Sequence, residues 1–181
     1  RACDAESSRA QVAPLLQSDS MQKIAFGLET LSRESVRDFS GIVMKLCGHK
    51  ESKIRKMAVE KASLLDSGES FEKLLGAVSD EEEGVRLAAY RGLGRMGNPA
   101  ARSLLIQAAQ NDPVDWNRYE ALRALSAHET IEIGDIDRAA LLLESGSDLV
   151  KTAILDLLGA HGGQKHRQLI EEYADARSGP V

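Results

Sequence analysis

One phrase recurs along this chain at nearly constant spacing, and little else about the sequence constrains its fold as strongly. Val85-Arg86-x-Ala88-Ala89-x-x-x-Leu93-Gly94 has counterparts at Ile54-Arg55-x-x-Ala58-x-x-x-Ala62-Ser63, at Asn117-Arg118-x-x-Ala121-x-x-x-Leu125-Ser126 and at Val150-Lys151-x-Ala153-x-x-x-x-Leu158-Gly159. The phrases start at 54, 85, 117 and 150, so the steps are 31, 32 and 33 residues. Repetition at that period specifies a stack of similar supersecondary units, each too small to bury its apolar face alone. Within the phrase, Val85, Ala89, Gly92 and Met96 fall at i, i+4, i+7 and i+11, the stripe of a helix with one face in a core.

Shorter apolar segments lie between the phrases: Phe71-x-x-Leu74-Leu75-x-x-Val78, Leu104-Leu105-Ile106-x-x-Ala109, Ala139-x-Leu141-Leu142 and Leu169-Ile170-x-x-Tyr173. Each reads as the outer partner of an antiparallel helix pair. Asp66-Ser67-Gly68, Gly97-Asn98-Pro99, Asn111-Asp112-Pro113 and Gly162-Gly163 mark the joints. Ile24, Leu28 and Leu31 repeat the inner stripe one period before Ile54, with a partner around residues 12–16 in which Pro14 predicts a kink or a fresh start. The polar segment 165–177 predicts a closing cap helix. Thr130-Ile131-Glu132-Ile133-Gly134-Asp135-Ile136 alternates like a strand, yet it falls where a loop is required. It is expected to be an extended loop whose isoleucines plug the core edge.

The bulk properties fit this picture. Aromatic residues make up only 4% of the chain, so Ala and Leu carry most of the packing within a 43% hydrophobic composition. A net charge of −5 argues against general affinity for nucleic acid or anionic membrane. No apolar run approaches the roughly 20 residues of a membrane span. The sequence opens Arg1-Ala2-Cys3, of which Ala2-Cys3 is a slight match to the end of a bacterial lipoprotein signal. Cys3 and Cys47 fall at opposite edges of the expected stack, too far apart for a disulfide. The compartment stays open.

These residues resemble HEAT repeats, in particular the short variety of bilin-lyase-like HEAT proteins. The likeness is clearest over 52–160, looser in an N-terminal pair at 6–33 and in the 165–177 helix. It implies an all-α, right-handed α-α superhelix of about five helical pairs forming a single array over 1–181. It also implies a structural ladder of turn aspartates and helix arginines, here Asp80 with Arg86 and Asp112 with Arg118, and Arg55. Each Asp would bond the Arg of its own or a neighbouring repeat. His49 and Ser145 stand where an Asp is expected, Asn117 replaces an apolar residue, and Lys151 replaces an Arg.

Catalytic signals are sparse. Gly92-Leu93-Gly94-Arg95-Met96-Gly97 spells G-x-G-x-x-G but lies inside and at the end of a predicted helix, without the strand that dinucleotide binding needs. Its glycine at 94 recurs as Ser63, Ser126 and Gly159, which reads as close helix packing. His49, His128, His161 and His166 lack metal-ligand spacing. The pair His128-Glu129 is a single copy at a helix end. No cofactor, metal or catalytic residue is expected.

The candidate function lies on the exposed side of the inner helices. Positions two, five and six after each phrase start read Lys56, Val59, Glu60; Leu87, Tyr90, Arg91; Tyr119, Leu122, Arg123; and Thr152, Leu155, Asp156. Leu87, Tyr90, Arg91, Trp116, Tyr119, Leu122, Arg123 and Leu155 would form a partner-binding strip on the concave face, rich in hot-spot residue types. The alternative for position five is packing on the adjacent repeat. The expected partner is another protein or an extended peptide. A bilin-lyase-like protein handling a chromophore in the same groove is the alternative. Phosphate or nucleic-acid binding through the basic run Lys45, Lys50, Lys53, Arg55, Lys56 and Lys61 is a lesser one.

Overall fold

The computed structural model describes residues 10–178, and every regular element among them is helical. The readings made on residues 1–9, Cys3 among them, lie outside this range. The chain divides into two compact units, Arg1–Met96 and Gly97–Val181.

In the first unit, helical residues 10–16 (α1) include Pro14. They lead into α2 (Met21–Thr30), a 3-10 turn (Ser35–Phe39), α3 (Ser40–Leu46), α4 (Ser52–Ala62), α5 (Gly68–Ala77) and α6 (Glu83–Met96). Helices α2, α4 and α6 pack side by side as one layer, and α3 and α5 lie against them as the second. The second unit repeats the plan. After a 3-10 turn (Pro99–Ala101) come α7 (Arg102–Asn111), α8 (Asp115–Ser126), α9 (Ile133–Ala140), a 3-10 turn (Leu141–Leu143), α10 (Asp148–His161) and α11 (Gln164–Ser178). Here α8 and α10 share a layer, α7 and α9 share the other, and α11 packs on α10.

The phrase helices form one layer, and their apolar stripes lie in the core. Ile54, Ala58 and Ala62 on α4, Val85 and Ala89 on α6, Ala121 and Leu125 on α8, and Val150 and Leu158 on α10 are buried. Local chemistry sets the joints. The Ser67 hydroxyl accepts the Ser70 N–H in a capping box that starts α5. Gly97 ends α6 at φ 62°, a conformation that costs glycine nothing.

The turns before α4, α6 and α8 share a side-chain device at a fixed offset. Five residues before the phrase, a side chain accepts the N–H two positions on. Asp80 does this for Glu82 at 3.0 Å and Asp112 for Val114 at 2.9 Å. His49 does the same for Glu51 through Nδ1 at 3.1 Å, so the histidine replaces the aspartate's local role. The phrase arginine then grips the turn's carbonyls. Arg55 Nη1 donates to His49 O and Lys50 O, and Arg86 Nη1 donates to Asp80 O and Glu81 O, all within 2.9–3.1 Å.

The ladder itself runs between repeats. The Asp80 carboxylate accepts both Nε and Nη2 of Arg55, each at 2.8 Å, from the preceding inner helix. That bidentate pair fixes the register of α4 against α6. Arg118 departs from the pattern, since its Nε donates to Ala109 O at 2.8 Å and its Nη1 to Asp115 Oδ1 at 3.2 Å. The substituted Asn117 is buried and donates to Asp112 Oδ2 at 3.3 Å.

Two expectations are corrected. The strand-like stretch 130–136 is no extended loop, because α9 begins at Ile133. Arg102 draws this segment in, donating to Thr130 O at 3.0 Å and Glu132 Oε1 at 2.5 Å, with Asp135 Oδ2 at 3.6 Å. Only Ile136 reaches the core, while Ile133 is 68% exposed. The close packing expected along the small-residue column holds at Ser63 and fails at Gly159. A Cβ on Gly159 would meet nothing within 4 Å, whereas one on Gly92 would meet Leu74 Cδ2 at 2.4 Å and Ser63 Cβ at 2.8 Å. The G-x-G-x-x-G glycine at 92 is therefore a packing residue.

Candidate functional site

The structure splits the predicted strip by position within the phrase. Tyr90 and Leu122 are 2% and 0% exposed, so they are core residues and not surface for a partner. Val59, at the same position five, is likewise buried. The reason is geometric: position five lies at the margin of the stripe, and on α4 Val59 is covered where α6 packs alongside. Tyr90 is also tied down by its hydroxyl, 3.5 Å from Val78 O. Leu87 is half-buried and Arg91 exposed, both on α6 in the first unit.

In the second unit the remaining predicted residues converge. Trp116, Tyr119 and Arg123 lie at i, i+3 and i+7 along one face of α8. The Trp116 and Tyr119 rings stack with centroids 5.2 Å apart and planes 28° from parallel. Arg123 Cζ stands 5.9 Å from the centre of the Tyr119 ring, a cation–π contact worth roughly 0.5–1 kcal/mol at an exposed site. The almost fully buried Glu120 carboxylate lies 3.9 Å from Arg123 Nη1. Trp116 is nonetheless 45% exposed. The neighbouring inner helix α10 adds Thr152, exposed, and Leu155, half-buried. Leu155 lines an open groove of about 420 Å³ with Asp148, Lys151 and Thr152 of α10 and Ile170, Tyr173 and Ala174 of α11.

Other candidates are absorbed by the fold. Within the basic run, Arg55 is bound to Asp80, Lys61 Nζ donates to Leu31 O at 2.6 Å, and Lys56 pairs with Glu60 at 3.9 Å. Lys45, Lys50 and Lys53 remain on the surface. Cys47 is half-buried, and burial pushes its thiol up to about 11, so it carries little thiolate near neutral pH. His161 Nε2 lies 2.9 Å from Ser126 O, and His166 Nε2 lies 2.8 Å from Asp137 Oδ1. Among the described residues, no group of three His, Cys, Asp or Glu is placed to hold a metal, and no helix is long and apolar enough to cross a membrane.

His128 is the exception among the histidines. Its ring is buried, and neither nitrogen has a hydrogen-bond partner. Burial, with the Arg102 charge adding, holds its pKa below the ordinary 6.5. As pH falls below that value the unfolded chain takes up a proton that the native ring resists, so stability drops. His128→Leu is therefore expected to raise stability by about 1–3 kcal/mol. It should also flatten the loss of stability between neutral and mildly acidic pH, read from urea melts across that range.

Antiparallel helix pairs repeating every 31 to 33 residues, in two layers, define an α-solenoid of the HEAT and armadillo kind. Residues 41–126 match the family model of HEAT repeats. Among solved structures, a designed armadillo repeat protein is similar at 16% identity, covering 90% of this chain and 86% of that one with a TM-score of 0.56. A second designed armadillo repeat protein, in complex with the peptide (KR)4, is similar at 18% identity over the same shares with a TM-score of 0.58. At such identities the likeness shows the fold alone. No curated protein matches the chain in sequence.

Proposed function

We propose that this protein is a non-catalytic binding scaffold, and that it takes an extended peptide or protein segment on the α8–α10 face of its second unit. The observation that carries this reading is the exposed stack of Trp116 on Tyr119 with Arg123 above the second ring. A large aromatic side chain left half in water, rigidified by stacking and flanked by a cation, matches the composition of binding hot spots. The fold offers such a face because α8 leaves Tyr119 and Arg123, at positions two and six, accessible while Leu122, at position five, is buried in the core. The peptide held by one of the similar designed proteins supports a role for this scaffold geometry in peptide binding. Arg123, with its side chain 61% exposed, would meet a carboxylate, and Trp116 an apolar or aromatic side chain.

Trp116 is the only tryptophan, so its fluorescence reports on the face directly. Peptides selected from a random library on the whole protein are expected to shift that emission. They should lose at least about tenfold in affinity on the variant Tyr119→Ala/Arg123→Gln, which adds no charge beside Glu120 and keeps the wild-type helical content. Peptides that bind the folded variant as tightly as the wild type would overturn the assignment.

A further inference from the structure

The groove between α10 and α11 has a place in the repeat that reveals what it accepts. On α4, phrase positions one, two and five lie against the next repeat. These are Arg55, bonded to Asp80 of the next repeat; Lys56, whose stem would lie 3.6 Å from a Cβ on Gly84; and Val59, fully buried. On α10 the same positions are Lys151, Thr152 and Leu155, and they form one wall of the groove. Leu155 is only half-buried, although Val59, Tyr90 and Leu122 at that position are closed off.

The opposite wall is Ile170, Tyr173 and Ala174 of α11. It is held in place by His166 and Lys165, which bond Asp137 of α9 at 2.8 and 3.0 Å. The groove thus has the walls of a seat for one more inner helix, an outer helix beside it and an inner helix below. Charge marks its entrance. Arg55 is satisfied by a carboxylate from the turn preceding the next helix, whereas Lys151 has no carboxylate partner among the described residues. Asp148, the one acid on the wall, sits in the first turn of α10, where it complements that helix's own dipole.

We propose that this groove docks an amphipathic helix of a partner protein, entered through an acidic turn whose carboxylate pairs with Lys151. Small apolar residues on the partner's contacting face would cover Leu155, Ile170 and Tyr173. The groove borders the α8–α10 face through Thr152 and Leu155 but is closed by α11, and its docking does not depend on peptide binding at Trp116.

The segment that fills the equivalent seat on α4 is this chain's own residues 80–96, so a helix-stabilised peptide of that sequence is a direct probe. It is titrated into the full-length, isotope-labelled protein and followed by amide NMR. Shifts centred on Lys151, Thr152, Leu155, Ile170 and Tyr173 are expected, with no change in Trp116 emission. The peptide carrying Asp80→Lys should bind about fivefold more weakly. On the protein variant Lys151→Glu the order of the two peptides should reverse. Absence of shifts at millimolar peptide, shifts centred elsewhere, or equal affinity for both peptides would overturn the proposal. So would groove resonances that move with protein concentration alone, because the occupant would then be a second copy of this chain.

Discussion

Gly92→Val is expected to destabilise the first unit by at least about 3 kcal/mol, the upper part of the range for overpacked cores. Valine's first carbon alone would stand 2.4 Å from Leu74 Cδ2 and 2.8 Å from Ser63 Cβ. Leu74 is fully buried and cannot swing aside, and Ser63 is held by its bond to Glu60 O and by Arg95. The backbone of α6 would have to move away from both α4 and α5. Helix propensity works the other way, since any residue with a Cβ orders a helix better than glycine, by up to about 1 kcal/mol. Gly159→Ala isolates that term: it lies within α10 with open space around it, so it should gain about 0.4–1 kcal/mol. Urea unfolding of both variants followed by far-UV circular dichroism checks the pair. Equal signs for the two would mean that α6 does not approach its neighbours as closely as described.

Arg55→Met carries the second large effect, a loss of about 2–4 kcal/mol. The substitution removes both bonds to Asp80 and both bonds to the turn carbonyls of His49 and Lys50, and it leaves a carboxylate that is 13% exposed without its main counter-charge. Asp80 also answers to pH. The Arg55 guanidinium holds its carboxyl below the ordinary 3.8. The unfolded chain therefore binds the proton first as acid is added. The pair's contribution is complete above that ordinary value and is lost as pH falls through it towards the folded value. The acid limb of the stability curve should be shallower in Arg55→Met than in the wild type. Arg55→Met/Asp80→Asn should recover much of the loss at neutral pH, because the amide keeps the bond to Glu82 N–H and no unpaired charge remains buried. A double variant no better than the single one would place the cost in the turn carbonyls instead.

Much of the architecture is legible in the phrase itself. Val85, Ala89, Gly92 and Met96 mark the buried stripe, and the offsets of 31 to 33 residues mark the stacking. The ladder's participants were legible too, but not their wiring. Asp80 and Arg86 are six apart in sequence, yet the carboxylate reaches back to Arg55, because the turn puts it over the preceding helix, and Arg86 Nη1 donates to that turn's carbonyls. The site was half legible. Trp116, Tyr119 and Arg123 share a face by spacing alone, and their stacking follows from it. Tyr90 and Leu122 could not be placed the same way, because a residue at the margin of a helical stripe is surface or core according to how closely the next helix approaches.

The sequence by itself determined the repeating unit, the identity of inner and outer helices and the turn chemistry, since each depends on residues within one period of one another. Tertiary structure alone decided which marginal positions are dry, which glycine is indispensable, that 130–136 yields to a helix drawn in by Arg102, and that Lys151 and Leu155 face a groove. Those outcomes depend on distances between helices, and a one-dimensional pattern fixes the direction in which a side chain points without fixing what it meets there.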